Sequence, residues 1–172
     1  MPQPSKIRTR LDRAIRRLEA QRTCLDWAIR EIADVPGIVL ELGLGNGRTF
    51  DHLRAHMPDR QIYVFERNPQ AHPASTPSPD RLIIGTLEET LPTAQKRFAG
   101  QVAFLHSDIG TGDDDRNNRF AAWLGPELIP FLAPGAIVAS DQRFDALAHL
   151  AAPLPPGVDE GRYHLYRFVA PP

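Results

Sequence analysis

Residues 38–50 read Ile-Val-Leu-Glu-Leu-Gly-Leu-Gly-Asn-Gly-Arg-Thr-Phe. The short apolar run that ends near Glu41 predicts a buried strand. Gly43, Gly45 and Gly47 follow at alternate positions, where glycine lets the backbone turn sharply and lets a ligand approach the main chain. The polar and apolar residues that come next can open an amphipathic helix, whose free N–H groups favour negative charge. The stretch therefore predicts a strand–loop–helix corner that binds a nucleotide or an anion.

The spacing of the glycines distinguishes between possible ligands. The dinucleotide fingerprint G-x-G-x-x-G would place its third glycine at Arg48, and no Gly-Lys-Ser/Thr follows to make a phosphate-binding loop. Glu41 at the end of the strand suits a cationic group, such as an ammonium, better than a pyrophosphate. Glycine triplets also occur incidentally in strand–turn–helix units, so that interpretation stays open for the loop taken alone.

A second acidic residue stands in phase with the glycine loop. Residues 61–66 predict the second strand, which ends at Glu66. In doubly wound folds, an acid about 20 residues beyond the loop, at the end of the next strand, hydrogen-bonds the ribose of the ligand. A carboxylate suits this task because it can accept both hydroxyl hydrogens of a diol.

The pattern Glu41-Leu-Gly43-Leu-Gly45-Asn-Gly47 resembles motif I of the class I S-adenosylmethionine-dependent methyltransferases. The resemblance covers about residues 27–142 and implies S-adenosyl-L-methionine as the cofactor, with the loop behind its methionine part. Thr86 stands where the family commonly has an acid that meets the adenine amino group. The cofactor contacts that the resemblance implies are Glu41, Gly43, Gly45, Asn46, Gly47, Glu66, Arg67, Thr86, Leu87 and Asp108.

Polar side chains after the fourth and fifth predicted strands are candidates for catalysis. Asp108, Asp141 and His106 could each accept a proton from a methyl acceptor. The layout of the two acids, followed by Gln142, is similar to that of metal-dependent catechol-type O-methyltransferases, in which an Asn is expected at this place. Hard oxygen ligands suit Mg²⁺, which is therefore a possible second cofactor. The competing interpretation is that the two acids only line the pocket.

The order of the elements predicts the fold class. Strands alternate with helices, which indicates an α/β, doubly wound (Rossmann-like) and mostly parallel sheet. Residues 1–172 are expected to form one domain, with an N-terminal helix over residues 1–33, capped by Ser5, and a core over residues 38–172. Compared with the family, the sheet is abbreviated at the C-terminus. The proline-rich segment 67–81 predicts either a lid or a surface connection, and the connection is favoured.

Two features on the predicted surface suggest further contacts. The N-terminal helix has an arginine-rich face, which is either solvated or a docking surface for a second subunit or an acidic ligand. Together with the abbreviated sheet edge, it predicts a homo-oligomer. His52 and His56 stand four residues apart, a spacing that can bind zinc. No third ligand is evident nearby in the sequence, so surface histidines are the favoured interpretation.

Composition limits the function classes. Hydrophobic residues make up 42% of the chain, charged residues 24%, and the net charge of −1 gives no reason to expect nucleic acid as a partner. Cys24 is the single cysteine, so an intramolecular disulfide is excluded. No secretory signal or apolar span is evident, which predicts a cytoplasmic protein without a membrane partner.

Methyl transfer from S-adenosyl-L-methionine to a small-molecule acceptor is the predicted function. The acceptor is expected to be small because no appended substrate domain is visible. The reaction would be an in-line displacement in a pocket at the C-terminal ends of strands 1, 2 and 4. Two alternatives remain open: a non-catalytic S-adenosylmethionine-binding or oligomeric scaffold protein, and an NAD-dependent oxidoreductase, which Arg48 disfavours.

Overall fold

The computed structural model of the chain describes residues 9–169. Six strands form one sheet: β1 Ile38–Leu42, β2 Ile62–Glu66, β3 Leu82–Ile84, β4 Val102–Ser107, β5 Leu132–Ser140 and β6 His164–Arg167. Their order is β3-β2-β1-β4-β5-β6; the first five strands are parallel, and β6 is antiparallel to β5. The predicted doubly wound, mostly parallel sheet is therefore confirmed. The strand order reverses between β1 and β4, which is where such sheets bind ligands at the carboxyl ends of the strands.

Four α-helices cover the two faces of the sheet: α1 Arg10–Glu31, α2 Arg48–His56, α3 Leu87–Phe98 and α4 Asp114–Leu128. Short 3-10 turns lie at Pro73–Ser75, Pro79–Arg81, Ile129–Phe131 and Asp145–Leu150. Successive residues of β1 point to opposite faces, so that Val39 packs with α1 and α2 while Leu40 packs with α3 and α4. The protein thus has two apolar layers, one on each side of the sheet.

The first helix extends beyond the sheet that it covers. Its 22 residues span about 33 Å, whereas a strand of five or six residues spans roughly 17–20 Å. The half from Ala20 onwards packs in the core, while Leu11 and Ile15 in the first half are 68% and 46% exposed. Thr9 caps the described helix by accepting a hydrogen bond from the backbone N–H of Asp12. The predicted cap, Ser5, lies outside the described residues.

Two pairs of glycine and proline in the C-terminal half of the chain lie inside regular elements. Helix α4 runs through Gly125-Pro126, and because Pro126 lies in its last turn, the missing backbone N–H costs the helix a single hydrogen bond, to the carbonyl of Ala122. The acidic run before it begins the helix: Asp113 caps α4 by accepting from the backbone N–H of Arg116 at 3.0 Å. Pro134-Gly135 lies inside β5, at a shift in the register of its pairing with β4.

The proline-rich segment 67–81 connects β2 to β3. Its first 3-10 turn packs on α2, where a guanidinium N–H of Arg54 donates to the carbonyl oxygen of Ala74 at 2.8 Å. Among residues 9–169, no helix has both the length and the apolar character needed to cross a membrane.

Candidate active site

A cavity of about 520 Å³ opens at the carboxyl ends of β1, β2 and β4, where the strand order predicts a ligand. Its size falls in the usual range of pockets for small ligands, roughly 300–1,000 Å³. Seven of the predicted site residues line it: Gly43, Gly45, Glu66, Arg67, Thr86, Leu87 and Asp108. The remaining wall comes from the segment after β4 and from α4, including Ile109, Asn117 and Phe120.

A smaller cavity of about 160 Å³ lies between α1 and the glycine loop. It is lined by Arg17 and Gln21 from α1 and by Asn46, Arg48 and Thr49 from the loop and the start of α2. Gly43, Gly45 and Asp108 line this cavity as well as the larger one. The two cavities therefore lie side by side and meet at the glycine loop and at the end of β4.

Glu66 at the end of β2 is bonded to the backbone of the glycine loop. Its Oε2 accepts hydrogen bonds from the N–H groups of Leu44 at 2.9 Å and Gly45 at 3.3 Å, and its Oε1 accepts from the N–H of Asn68 at 2.9 Å. Burial opposes the charge, but these backbone N–H donors outweigh it and lower the pKa of Glu66. An ionised carboxylate with unused lone pairs thus faces the larger cavity.

The glycine loop is shaped by its left-handed backbone. Gly47, at the start of α2, has a φ of 75°, and a Cβ there would lie 2.2 Å from the carbonyl oxygen of Ser75 in the proline-rich segment. Gly45 has a φ of 50°, and a Cβ there would meet no atom within 4 Å. A glycine is therefore required at position 47 because Ser75 packs against it beneath the loop. At position 45, the missing side chain leaves the backbone of the loop exposed to both cavities.

Thr86 is the N-cap of α3 as well as a wall of the larger cavity. Its hydroxyl accepts from the backbone N–H of Glu89 at 3.3 Å, and the Glu89 carboxylate accepts from the backbone N–H of Thr86 at 3.0 Å. The hydroxyl therefore already uses one of its lone pairs in the cap. Leu87 follows directly as the first residue of the helix and presents an apolar surface to the same cavity.

A buried polar network lies beneath the junction of the two cavities. Asp108 Oδ2 accepts from the side-chain amide of Gln21 at 2.6 Å, and Gln21 also reaches the hydroxyl of Tyr163 at 3.5 Å. Tyr163 in turn is hydrogen-bonded to Nε2 of His106. The network ties α1 to the end of β4 and to the chain just before β6, and it holds Asp108 through Gln21.

His106 and Glu41 form a fully buried pair at the inner end of this network. His106 Nδ1 lies 3.1 Å from Glu41 Oε2, close enough for an ion pair although the angle is poor for a hydrogen bond. Burial lowers the pKa of His106, but the carboxylate of Glu41 outweighs that effect, and the pKa is raised. The other oxygen of Glu41 accepts from the hydroxyl of Thr49. Neither Glu41 nor His106 lines a cavity, so each can act on a ligand only through its neighbours.

Asp141 lies behind the wall of the larger cavity and not in it. Its Oδ2 accepts from the backbone N–H of Gly110 at 2.9 Å and from the amide of Gln142 at 3.1 Å. Burial, together with the charge of Asp108, raises the pKa of Asp141. The predicted magnesium site finds no support, because within residues 9–169 Asp108 and Asp141 belong to no group of three potential ligands.

Three residues around Asp108 were missed by the sequence analysis: Arg17, Gln21 and Tyr163. Arg17 and Gln21 are four residues apart, so helical spacing places them on one face of α1. That spacing was a usable signal, but only the packing of α1 shows which face meets the site. Tyr163 had no signal, because it reaches the network from a point 57 residues beyond His106.

Comparison with known proteins identifies the family. Residues 8–168 match the family described as S-adenosyl-L-methionine methyltransferase, and the chain belongs to it. The chain is 45% identical to an S-adenosyl-L-methionine methyl transferase from Silicibacter pomeroyi DSS-3, with a TM-score of 0.87 over 93% of this chain and 99% of that one. No curated protein sequence matches the chain. The protein is thus a methyltransferase enzyme with S-adenosyl-L-methionine as its cofactor, and the scaffold and NAD-dependent alternatives are set aside.

More distant structures share only the fold. A methyltransferase from Streptococcus mutans is 11% identical, with a TM-score of 0.55 over 87% of this chain and 49% of that one. A 16S rRNA (adenine(1408)-N(1))-methyltransferase from Catenulisporales acidiphilia is 19% identical, with a TM-score of 0.41 over 67% of this chain and 60% of that one.

The expected exclusion of nucleic acid as a partner is corrected by the second of these matches, since a protein named for an rRNA substrate occurs among the structures similar to this chain. The small-molecule acceptor and the homo-oligomer remain predictions. The physical reason is that a net charge near zero averages over the whole surface, whereas binding of a charged partner depends on local charge.

Proposed function

We propose that the chain binds the adenosine part of S-adenosyl-L-methionine in the larger cavity and the methionine part in the smaller cavity. The observation that carries this proposal is that Gly43, Gly45 and Asp108 line both cavities. A ligand with two chemically different halves joined at one atom suits two cavities that meet at one point. The reacting methyl group would then be presented beside Asp108.

The residues of the larger cavity fit a nucleoside. The ionised carboxylate of Glu66 can accept hydrogen bonds from ribose hydroxyls while its other lone pairs remain with the loop backbone. Leu87 and Phe120 supply apolar surface for an adenine ring. Thr86 keeps a second lone pair that can accept from the adenine amino group, in addition to its role as a cap.

The residues of the smaller cavity fit an amino acid group. Arg17 and Arg48 line it and offer positive charge to a carboxylate. Arg17 Nη1 lies 3.8 Å from Asp108 Oδ2, and its side chain is 54% exposed, so it keeps N–H donors free for a ligand. Asp108 offers the opposite charge to an ammonium at the other side of the same cavity.

The bound cofactor supplies a methyl group already activated on a sulfonium, so that the protein's task is alignment. The glycine loop and Glu66 hold the nucleoside side, and Arg17 holds the other side. Of the three predicted catalytic residues, Asp108 alone lines the cavities, and we propose it as the group that accepts a proton from the acceptor. His106 and Asp141 are positioning residues. His106 acts on Asp108 through Tyr163 and Gln21, and Asp141 acts on it through its nearby charge.

The division of the cofactor between the cavities is tested by two ligands. Arg17→Ala should weaken the binding of S-adenosyl-L-methionine by about tenfold, which is the loss expected for one charge-assisted hydrogen bond. The binding of methylthioadenosine should not change, because this ligand lacks the amino acid part. Isothermal titration measures both. Arg30→Ala, at the other end of α1, is the matched control and should change neither. Equal losses for both ligands would contradict the assignment of the methionine part to the smaller cavity.

The single-domain organisation predicted for residues 1–172, with an N-terminal helix over residues 1–33 and a core over residues 38–172, stays part of this proposal. It is supported by the one continuous six-stranded sheet and by the packing of α1 on that sheet.

A further inference from the structure

We propose that Asp26, His52 and His56 form a binding site for a divalent transition metal ion such as Zn²⁺, separate from the cofactor cavities. The sequence showed two histidines four residues apart on a predicted helix but no third ligand. The structure supplies the third ligand from another element, because Asp26 on α1 lies against His52 on α2. None of the three residues lines either cavity at the glycine loop.

The positions of the donor atoms fit a metal site. One donor atom from each of the three side chains lies within 4.8 Å of the other two. In a tetrahedral site with metal–ligand bonds of about 2.0–2.1 Å, neighbouring donors stand about 3.3 Å apart. His52 Nε2 and Asp26 Oδ1 are already 2.7 Å apart, and the two imidazole rings have their centroids 4.2 Å apart. Small side-chain rotations therefore bring all three donors to one ion.

The protonation of His56 is set for metal binding. Its Nδ1 lies 2.8 Å from the backbone carbonyl oxygen of His52, and since a carbonyl can only accept, this nitrogen carries the proton. In the neutral ring the Nε2 lone pair is then free for a ligand. Metal-binding histidines usually donate their second nitrogen to a carbonyl or a carboxylate in this way.

The donor set indicates the kind of ion. Two imidazoles with one carboxylate suit Zn²⁺, Co²⁺ or Ni²⁺ better than Mg²⁺, which prefers oxygen ligands alone. His56 is exposed, while His52 is 22% and Asp26 38% exposed, so an ion can enter and a water molecule can fill the fourth position. Three protein ligands with a water molecule in the fourth position are an arrangement known from catalytic zinc sites, whereas structural zinc sites have four protein ligands.

A bound ion would join the two helices that carry the smaller cavity. Asp26 lies on α1 downstream of Arg17 and Gln21, and His52 lies one turn after Thr49 on α2. The ion would therefore clamp α1 against α2 at a distance from the cofactor.

The test is metal binding by the full-length protein freed of any affinity tag. Isothermal titration with Zn²⁺ should give saturable binding of one ion per chain, and Co²⁺ should give the visible absorption of a low-symmetry site. The binding of Zn²⁺ should be weakened by at least about tenfold in each of three variants, Asp26→Asn, His52→Ala and His56→Ala. His149→Ala removes an exposed histidine outside the cluster and should bind as the unaltered protein does.

The melting temperature gives a second readout. At one and the same Zn²⁺ concentration, the ion should raise the melting temperature of the unaltered protein and of His149→Ala clearly more than that of Asp26→Asn, which conserves the shape of the side chain but binds the ion more weakly. Absence of saturable Zn²⁺ binding to the unaltered protein, or undiminished binding to His52→Ala, would overturn the proposal. Binding of S-adenosyl-L-methionine is expected in all of these variants, so failure here is distinguishable from failure of the proposed function.

Discussion

Glu66 has two tasks at once, because the carboxylate that faces the larger cavity also holds the backbone of the glycine loop. An alanine at this position would therefore remove a ligand contact and loosen the loop together. The isosteric Glu66→Gln is the sharper change, since the amide oxygen can still accept from Leu44 and Gly45, while only the charge and the bond from the N–H of Asn68 are lost.

We expect Glu66→Gln to weaken the binding of S-adenosyl-L-methionine by about tenfold or more, since hydrogen bonds to a charged group contribute about 1.5–3 kcal/mol each. Isothermal titration measures the dissociation constant, and circular dichroism verifies the fold. Glu160→Gln, which changes an exposed acid that lines neither cavity, is the control. An unchanged dissociation constant for Glu66→Gln would show that the carboxylate does not contact the cofactor.

The buried pair of His106 and Glu41 makes stability depend on pH. The pKa of His106 is raised in the folded protein above its ordinary value of 6.5. Its positive charge therefore stabilises the fold fully below that value, and the contribution is lost as the pH rises through the folded pKa. In this window the folded chain binds more protons than the unfolded chain, so stability falls with rising pH.

We expect the free energy of unfolding in urea to decrease between pH 6 and pH 9 in the unaltered protein. The decrease should be smaller in the double variant Glu41→Gln/His106→Gln, which replaces the titrating pair with two amides. The slope against pH is the quantity compared, so that a loss of absolute stability in the variant does not affect the result. Identical slopes would mean that His106 is not charged in the fold.

At the scale of elements, the glycine loop is held from below by the proline-rich segment. Gly47 begins α2 with a left-handed backbone, and its missing side chain makes room for the carbonyl of Ser75. The segment 67–81 therefore supports the loop, which a purely solvent-facing connection would not do.

We expect Gly47→Ala to destabilise the protein by roughly 1–3 kcal/mol, because it combines a strained backbone with a clash. Chemical denaturation measures the loss. Gly112→Ala is the matched control, since a Cβ there would meet no atom within 4 Å and the residue is exposed. Its stability should stay within about 0.5 kcal/mol of the unaltered protein. Equal stability of both variants would show that the segment does not press on Gly47.

At the scale of the whole molecule, the site is assembled from both ends of the chain. Helix α1 packs on the sheet beside α2, and Gln21 reaches across to Asp108 and Tyr163. Exposed ion pairs join Arg16 to Asp159 and Glu31 to Arg167, although pairs of this kind contribute little to stability. Apolar packing of α1 is thus the main attachment of the first helix.

Binding of a cofactor to an assembly of this kind should stabilise the whole fold. At a concentration 100 times the dissociation constant, a ligand adds about 2.7 kcal/mol, which corresponds to roughly 5–10 °C in melting temperature for a domain of this size. We expect such a shift with S-adenosyl-L-methionine in scanning calorimetry and none with NAD. An equal shift with NAD would contradict the selectivity inferred from the spacing of the glycines.

Local patterns in the sequence determined the fold class and one side of the site. The glycine spacing, Glu66 at the end of its strand and the alternation of elements depend on neighbours in the chain and on the regular geometry of strands and helices. They predicted the parallel sheet and the position of the larger cavity. Gly125-Pro126 and Pro134-Gly135 are pairs that usually end an element, yet α4 and β5 run through them because tertiary packing overrides local propensity there.

Only the tertiary structure decided which polar groups face the ligand and which are buried behind it. Glu41 and Asp141 are carboxylates in or directly after a strand, as Glu66 and Asp108 are, yet they and His106 lie outside both cavities. Burial and partners are set by contacts between distant segments, such as Gln21 with Asp108 or Asp26 with His52. No local pattern specifies such contacts, because they depend on the face of the sheet against which α1 packs.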